Sequence, residues 1–192
     1  MQIDPQQQRW VLAAQSGDRA ALDRLLRLIQ EPLYGYLAQL LQDRHLAEDV
    51  LQETFLLVYR KLYWLREPAA FPAWVYRIAS RQAFRAMRQR DRTEISFAEP
   101  PSVGRDTDGD GGDEGMDAEL MDKIPELIAG LSPASRAVLS LHYQSGLTLE
   151  EVASVLSISI GTAKSRLAYG LSRLRERVSC SDTVSSISQT AR

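Results

Sequence analysis

A cluster of small polar and cationic residues near the carboxy-terminal end is spaced for reading a nucleic acid. Thr162, Ser165 and Tyr169 recur at intervals of three and four, so on a helix they share a face, flanked by Lys164, Arg166 and Arg173. Small side chains let a helix approach base edges closely, and an arginine can grip guanine at two points. Lys164, Arg173 and Arg175 suit phosphate contacts better. A second cluster lies in the first half, where Arg77, Arg81, Arg85 and Arg88 repeat at three or four with Trp74 and Ile78 beside them. Like charges at that spacing destabilise a helix by about 0.2–0.5 kcal/mol per pair, so an external anion is expected there. Trp64, Phe71, Trp74 and Tyr76 offer surfaces on which unpaired bases could stack. The plainer alternative for both clusters is a solvated face on a helix whose aromatics belong to the core. A third cluster, Glu48, Asp49, Gln52 and Glu53, would repel DNA and is expected to meet a protein or to be simply a polar face. No Gly-rich phosphate loop, metal cluster or nucleophile–base arrangement emerges, so catalytic residues, metal and cofactor are all expected to be absent.

Helices must position these groups. Ser132-Pro133 is a helix start, with Ser as cap and Pro at the first turn, and Gly146 suits the helix end near Gln144. Thr148-Leu-Glu-Glu151 is a capping box opening a short helix through Val152, Ala153, Val155 and Leu156. After a turn at Ser157-Ile158, Ser159 can cap a last helix reaching about Val178, with Ile160, Ala163, Leu167, Leu171, Leu174 and Val178 as its inward stripe. Two helices joined by a tight turn, the second long and basic, make a helix-turn-helix. The first half predicts about four helices, with breaks near Ser16-Gly17-Asp18, Gln42-Asp43-Arg44 and Glu67-Pro68. Its basic helix spans Phe71–Arg90, with Val75, Ala79, Ala83, Ala86 and Met87 inward and Tyr76 at the edge.

Charge is segregated along the 192 residues although the net charge is only −2. Residues 60–92 carry nine Lys/Arg against two Asp/Glu, giving +7, and residues 93–123 carry two against ten, giving −8. A polyanionic partner suits the first block and a solvated linker the second. The acidic block holds Pro100-Pro101 and Gly109, Gly111, Gly112 and Gly115, and cannot bury enough apolar surface to fold alone. The expected organisation is all-α: a helical domain at 1–93, a flexible acidic linker at 94–122, a helix-turn-helix domain at 123–180 and a disordered tail at 181–192. Hydrophobic residues at 44% support a core, no apolar run approaches a bilayer span, and the start has no signal-like pattern. The single Cys180 and two histidines cannot build a disulfide or a zinc site. The reading is a soluble, cytoplasmic protein.

A competing reading is a calcium loop. Asp106 to Asp117 places acids at loop positions one, three, five, nine and twelve with Gly at six, close to an EF-hand. Position twelve is Asp rather than Glu, and Pro100-Pro101 lies where a flanking helix should be, so a solvated linker is favoured.

Taken together, the two halves resemble a bacterial RNA polymerase sigma factor of the extracytoplasmic-function (ECF) type over residues 5–92 and 123–178. The resemblance rests on Asp43-Arg-His-Leu-Ala-Glu-Asp-Val-Leu-Gln-Glu-Thr-Phe55, on Phe71-Pro-Ala-Trp-Val-Tyr-Arg-Ile-Ala79, on Leu131-Ser-Pro and on Gly161-Thr-Ala-Lys-Ser-Arg-Leu167. It implies binding to core RNA polymerase, through its β′ clamp and β subunits, and to promoter DNA. In sigma terms, region 2 occupies 1–93 and region 4 occupies 123–180. Asp49, Gln52 and Glu53 would dock on the β′ clamp. Trp74, Arg77, Arg81, Arg85 and Arg88 would capture the melted minus-ten strand. Thr162, Lys164, Ser165, Arg166, Tyr169 and Arg173 would read the minus-thirty-five duplex. The acidic linker would thread the channel of nascent RNA. An anti-sigma factor is a further partner common in the family. Three positions depart from the family pattern: the loop Arg66–Phe71 lacks a Gly-x-Ser-like sequence, Arg81 replaces a frequent Asn, and Ser157 replaces a usual Gly. At positive φ that Ser costs on the order of 1 kcal/mol. The remaining alternative is a helix-turn-helix regulator that acts on duplex DNA without stable polymerase binding.

Overall fold

The computed structural model describes residues 3–94 and 128–189, with side chains for 3–90 and 128–176. Among the described residues there is helix and turn and no strand. The acidic linker and its EF-hand-like loop lie outside the described residues.

The first three helices each start on an acidic cap. Asp4 accepts from the Gln7 N–H at 2.8 Å while Gln7 Oε1 accepts from the Asp4 N–H at 3.1 Å, closing a capping box on α1 (Pro5–Gln15). Gly17 at φ +95 turns the chain, and Asp18 caps α2 (Arg19–Leu41). Gln42 ends α2 at φ 56, and Asp43 caps α3 (Arg44–Lys61). Two 3₁₀ turns, Leu62–Trp64 and Pro68–Ala70, lead into α4 (Phe71–Glu94). Leu25, Ile29, Leu33, Leu37 and Leu40 of α2 form the buried spine, against Val50 and Val58 of α3 and Val75, Ala79 and Ala83 of α4.

The second lobe begins with α5 (Pro133–Leu139), whose Ser132 cap accepts from the Ser135 N–H, and widens into a π turn at Ser140–Gln144. Gly146 follows at φ +64. The capping box at Thr148 and Glu151 opens α6 (Leu149–Leu156), and Ser157 turns the chain into α7 (Ile160–Gln189). A Cβ placed on Gly170 would lie 2.6 Å from Leu139 Cδ1, so glycine is what lets α7 lie this close to α5. Two expectations change here. Ile160 is 41% exposed rather than part of the inward stripe, because it sits at the free amino-terminal end of α7. The backbone of α7 continues to Gln189, across most of the expected tail, and no Gly or Pro interrupts residues 171–189.

The two lobes also pack on one another. Helix α4 packs on α6, and α2 on α5 and its π turn, so one continuous core includes residues of both halves. Ser140 Oγ donates to Gln39 Oε1 at 2.9 Å, and the Arg77 guanidinium donates to Ser154 Oγ.

Candidate nucleic-acid interface and docking face

The start of α7 is organised by hydroxyls. Ser159 Oγ accepts from the Thr162 N–H at 3.0 Å and lies 2.8 Å from the Thr162 hydroxyl, while Ser165 Oγ donates to the Thr162 carbonyl at 3.1 Å. Thr162, Ser165 and Arg166 are half-buried; Lys164, Tyr169 and Arg173 are exposed. Ala163, Leu167, Leu171 and Leu174 are buried on the opposite side, so the expected division of faces holds from Ala163 to Leu174, while the side chain of Val178 lies outside those described. Among the described residues neither Lys164 nor Arg166 has an ion-pair partner. Arg173 is engaged differently: its Nε donates to the Tyr169 hydroxyl at 3.3 Å, its guanidinium lies 5.8 Å from that ring, and its other end meets Glu176 at 3.0 Å. The Glu176 hydrogen bond, with Tyr169 second, pushes the Arg173 pKa up. Arg173 is therefore held flat along the helix, while Lys164 and Arg166 keep the reach needed for a groove.

On α4 the four arginines divide. Arg81, Arg85 and Arg88 are exposed, and among the described residues none has a carboxylate partner. Arg77 is half-buried against α6 through Ser154. A cleft of about 560 Å³ separates the lobes, with Arg81, Phe84, Met87 and Arg88 on one wall and Val155 and Ser157 on the other. Trp74 is half-buried, 6.4 Å from Phe71.

The stacking candidates sort by burial. Phe71 and Tyr76 are 1% and 0% exposed and hold the core, so no base can reach them. Tyr76 sits deeper than the edge position expected of it, because α2 covers it: Tyr36 meets it edge-on at 5.5 Å. Trp64 is 75% exposed, and so is Tyr63, which sequence reasoning passed over. The signal for Tyr63 is its place directly after the break that ends α3.

The acidic face of α3 turns outward as a unit. Glu48, Asp49, Gln52 and Glu53 are exposed, opposite buried Ala47, Val50, Thr54 and Val58. The same face continues into exposed Leu56 and Tyr59. Among the described residues no group of three or more His, Cys, Asp or Glu could hold a metal ion, and no helix is long and apolar enough to cross a membrane.

Comparison with known proteins agrees with this layout. Residues 25–93 match the sequence family Sigma-70 region 2, and residues 127–176 match Sigma-70, region 4. The chain is 31% identical over 181 residues to the RNA polymerase sigma-H factor of Pseudomonas aeruginosa, covering 87% of this chain and 91% of that one. It is 31% identical over 166 residues to the ECF RNA polymerase sigma factor SigE of Mycolicibacterium smegmatis, covering 84% of this chain but 64% of that longer relative. Among solved structures, CnrH in complex with the cytosolic domain of CnrY has the same fold, with a TM-score of 0.66, 18% identity and coverage of 90% and 97%. Sigma factor RpoE of Bartonella quintana, solved with the anti-sigma factor NepR, aligns with a TM-score of 0.64, 24% identity and coverage of 82% and 96%.

Proposed function

The chain belongs to the ECF-type RNA polymerase sigma factors, and on that premise we propose that it binds core RNA polymerase and directs it to promoters. Helix α4 captures the melted minus-ten strand, and the start of α7 reads the minus-thirty-five duplex. Asp49, Gln52 and Glu53 dock on the β′ clamp. The observation that carries the reading is the pairing, in one chain, of exposed α4 arginines, Arg81, Arg85 and Arg88, that have no carboxylate partner among the described residues, and an outward acidic α3 face beside them. A DNA reader alone has no use for the acidic face. That favours the sigma-factor reading over a regulator acting without polymerase. The protein works in the cytoplasm, where the polymerase supplies all the chemistry, so the chain itself is not an enzyme. Because structures of similar fold were solved with CnrY and NepR, an anti-sigma partner is part of the proposal.

Run-off transcription with purified core polymerase on genomic fragments tests the whole reading; no sigma-dependent start at any site refutes it. Replacing Asp49 and Gln52 together by Ala should reduce holoenzyme assembly in a pull-down while thermal unfolding stays unchanged, since both side chains are exposed. Full assembly by that double variant would remove the clamp-docking assignment.

A further inference from the structure

We propose that the cleft between the lobes is a binding site for a small amphipathic anion, an acyl carboxylate in chemical class. Its hydrocarbon body lies on an apolar bed shared by α4 and α6, and its head meets the guanidinium of Arg81 or Arg88. The inference goes beyond the sigma-factor reading and stands on the packing of the lobes alone. At about 560 Å³ the cleft lies within the roughly 300–1,000 Å³ of small-molecule sites, which gather where domains meet.

Both lobes leave apolar surface open there. Phe84 and Met87 of α4 line the cleft together with Val155 and Leu156 of α6 and Pro133 of α5. Val155 is buried, but the other four are half-buried, so a hydrocarbon body laid between them removes further apolar area from water. Methionine, unbranched and polarisable, adapts to the shape of what it meets. Ser80 in the lining is already engaged: its hydroxyl donates to the Tyr76 carbonyl at 2.7 Å and lies 2.7 Å from the Tyr36 hydroxyl. A polar occupant therefore finds little to bond there besides the arginines and the Ser157 hydroxyl.

Helix α4 sets the sign of the charge. Arg81, Phe84 and Arg88 recur at three and four and share a face, so the two cations stand two turns apart, about 10.5 Å along the axis, with the phenyl ring between them. Arg88 Nε donates to the Phe84 carbonyl at 3.2 Å, which leaves its terminal nitrogens to an occupant. Neither arginine has a carboxylate partner among the described residues, and none of the residues lining the cleft is acidic. A neutral hydrocarbon would leave the cations unmatched, and a bare inorganic anion would leave the apolar bed wet. A carboxylate on a hydrocarbon chain satisfies both, and its bond to a guanidinium is charge-assisted. The wall from α6 is aliphatic, so the bed suits an acyl chain better than a base. Because the occupant touches both lobes it holds them packed. While bound, it covers two of the arginines assigned above to the minus-ten strand.

The test uses the full-length chain with methyl-labelled methionine. Met87 is the only methionine among the described residues, and Met87→Leu assigns its methyl resonance. Decanoate is the probe, decanol the control without a charged head, and inorganic phosphate the control without a body. Decanoate, kept below the concentration at which it forms micelles, should shift the Met87 resonance to saturation and raise Tm. Replacing Arg81 and Arg88 together by Ala should weaken decanoate binding about tenfold, the loss of one charged hydrogen bond. Both side chains are exposed, so thermal unfolding of that variant without ligand should be unchanged. Returning Lys at both positions should restore most of the binding, because the charge returns. Leu156→Gln should also weaken it, because the second lobe supplies that wall. Decanol binding as tightly as decanoate overturns the inference, as does phosphate binding as tightly, a shift that never saturates, or full binding by the arginine variant. The titration needs neither polymerase nor promoter. A chain that fails to direct transcription therefore brings down the sigma-factor reading and leaves this site standing.

Discussion

Among the described residues, two other than glycine close helices in the left-handed region, Gln42 at φ 56 and Ser157 at φ 57. At Ser157 the conformation lets the Ile158 N–H reach back to the Ala153 carbonyl at 3.0 Å, which satisfies a carbonyl at the end of α6 and sets the tight turn before α7. An L-residue with a Cβ pays about 1 kcal/mol there relative to glycine. Ser157→Gly should therefore raise the unfolding free energy by about 1 kcal/mol in a urea titration; an unchanged midpoint would mean that the serine side chain offsets its own strain. The turn at Ser157 was legible from its place between a capped helix and a second cap. Gln42 was less so, since only the neighbouring Asp43 announces a break and glutamine has no turn chemistry of its own. Arg166 belongs at this scale too. It keeps the reach that Arg173, held by Tyr169 and Glu176, gives up. Arg166→Ala should change preference at one or two base pairs by about 1–3 kcal/mol in a binding selection, whereas uniform weakening would mark a phosphate contact.

The helix α4 shows how far periodicity carries. Its inward stripe at Val75, Ala79 and Ala83 and its outward arginines at 81, 85 and 88 were readable from spacing alone, because one face meets the core and one meets water. The flanks were not, because α6 covers one and α2 the other, and a stripe buried by a distant element has no local signature. Hence Arg77 is half-buried, and Tyr76 is sealed under Tyr36. The Tyr36 hydroxyl pairs with Ser80 Oγ at 2.7 Å, and Ser80 donates to the Tyr76 carbonyl. Burial, the larger cause, raises the pKa of Tyr36 well above the ordinary tyrosine range, while the Ser80 hydrogen bond works against it; burial raises Tyr76 as well. The folded state thus holds these phenol protons more tightly than the unfolded chain. Their contribution is intact below the unfolded value of about 10 and is lost as pH rises beyond it. Urea midpoints should begin to fall as the pH passes about 10 and keep falling above it. Tyr36→Phe should lower the unfolding free energy at neutral pH by about 1 kcal/mol through the lost hydrogen bond and make the alkaline fall shallower. An unaltered alkaline slope would show that Tyr36 does not drive it.

At the scale of the whole molecule, the junction between the lobes is what local patterns could not reveal. Gln39 and Ser140, and Arg77 and Ser154, are polar residues that read as surface, and their pairing spans 101 and 77 positions. The junction also contains a mismatch. The Tyr76 hydroxyl faces Ser145 across it closely enough for the serine to work against burial on the Tyr76 pKa, yet the two fall short of full hydrogen-bonding geometry, and among the described residues neither buried oxygen has another partner. A buried polar group without a partner costs about 1–3 kcal/mol, and water would recover that cost if the lobes parted. The packed arrangement is thus weakened at the place where α4 meets the second lobe. Separation would also release Arg77 from Ser154 and open the cleft onto Arg81 and Arg88, the side chains assigned to the minus-ten strand. Tyr76→Phe removes one orphaned hydroxyl while keeping the ring that fills the core. It should stabilise the chain by about 1 kcal/mol, a rise in Tm of about 2–4 °C for a protein of this size. Ser145→Ala should act in the same direction, and the two effects should add, because neither group satisfies the other. A Tyr76→Phe variant that is instead destabilised, with an effect that vanishes in the Ser145→Ala background, would show that the two hydroxyls are bonded and that the junction is a lock.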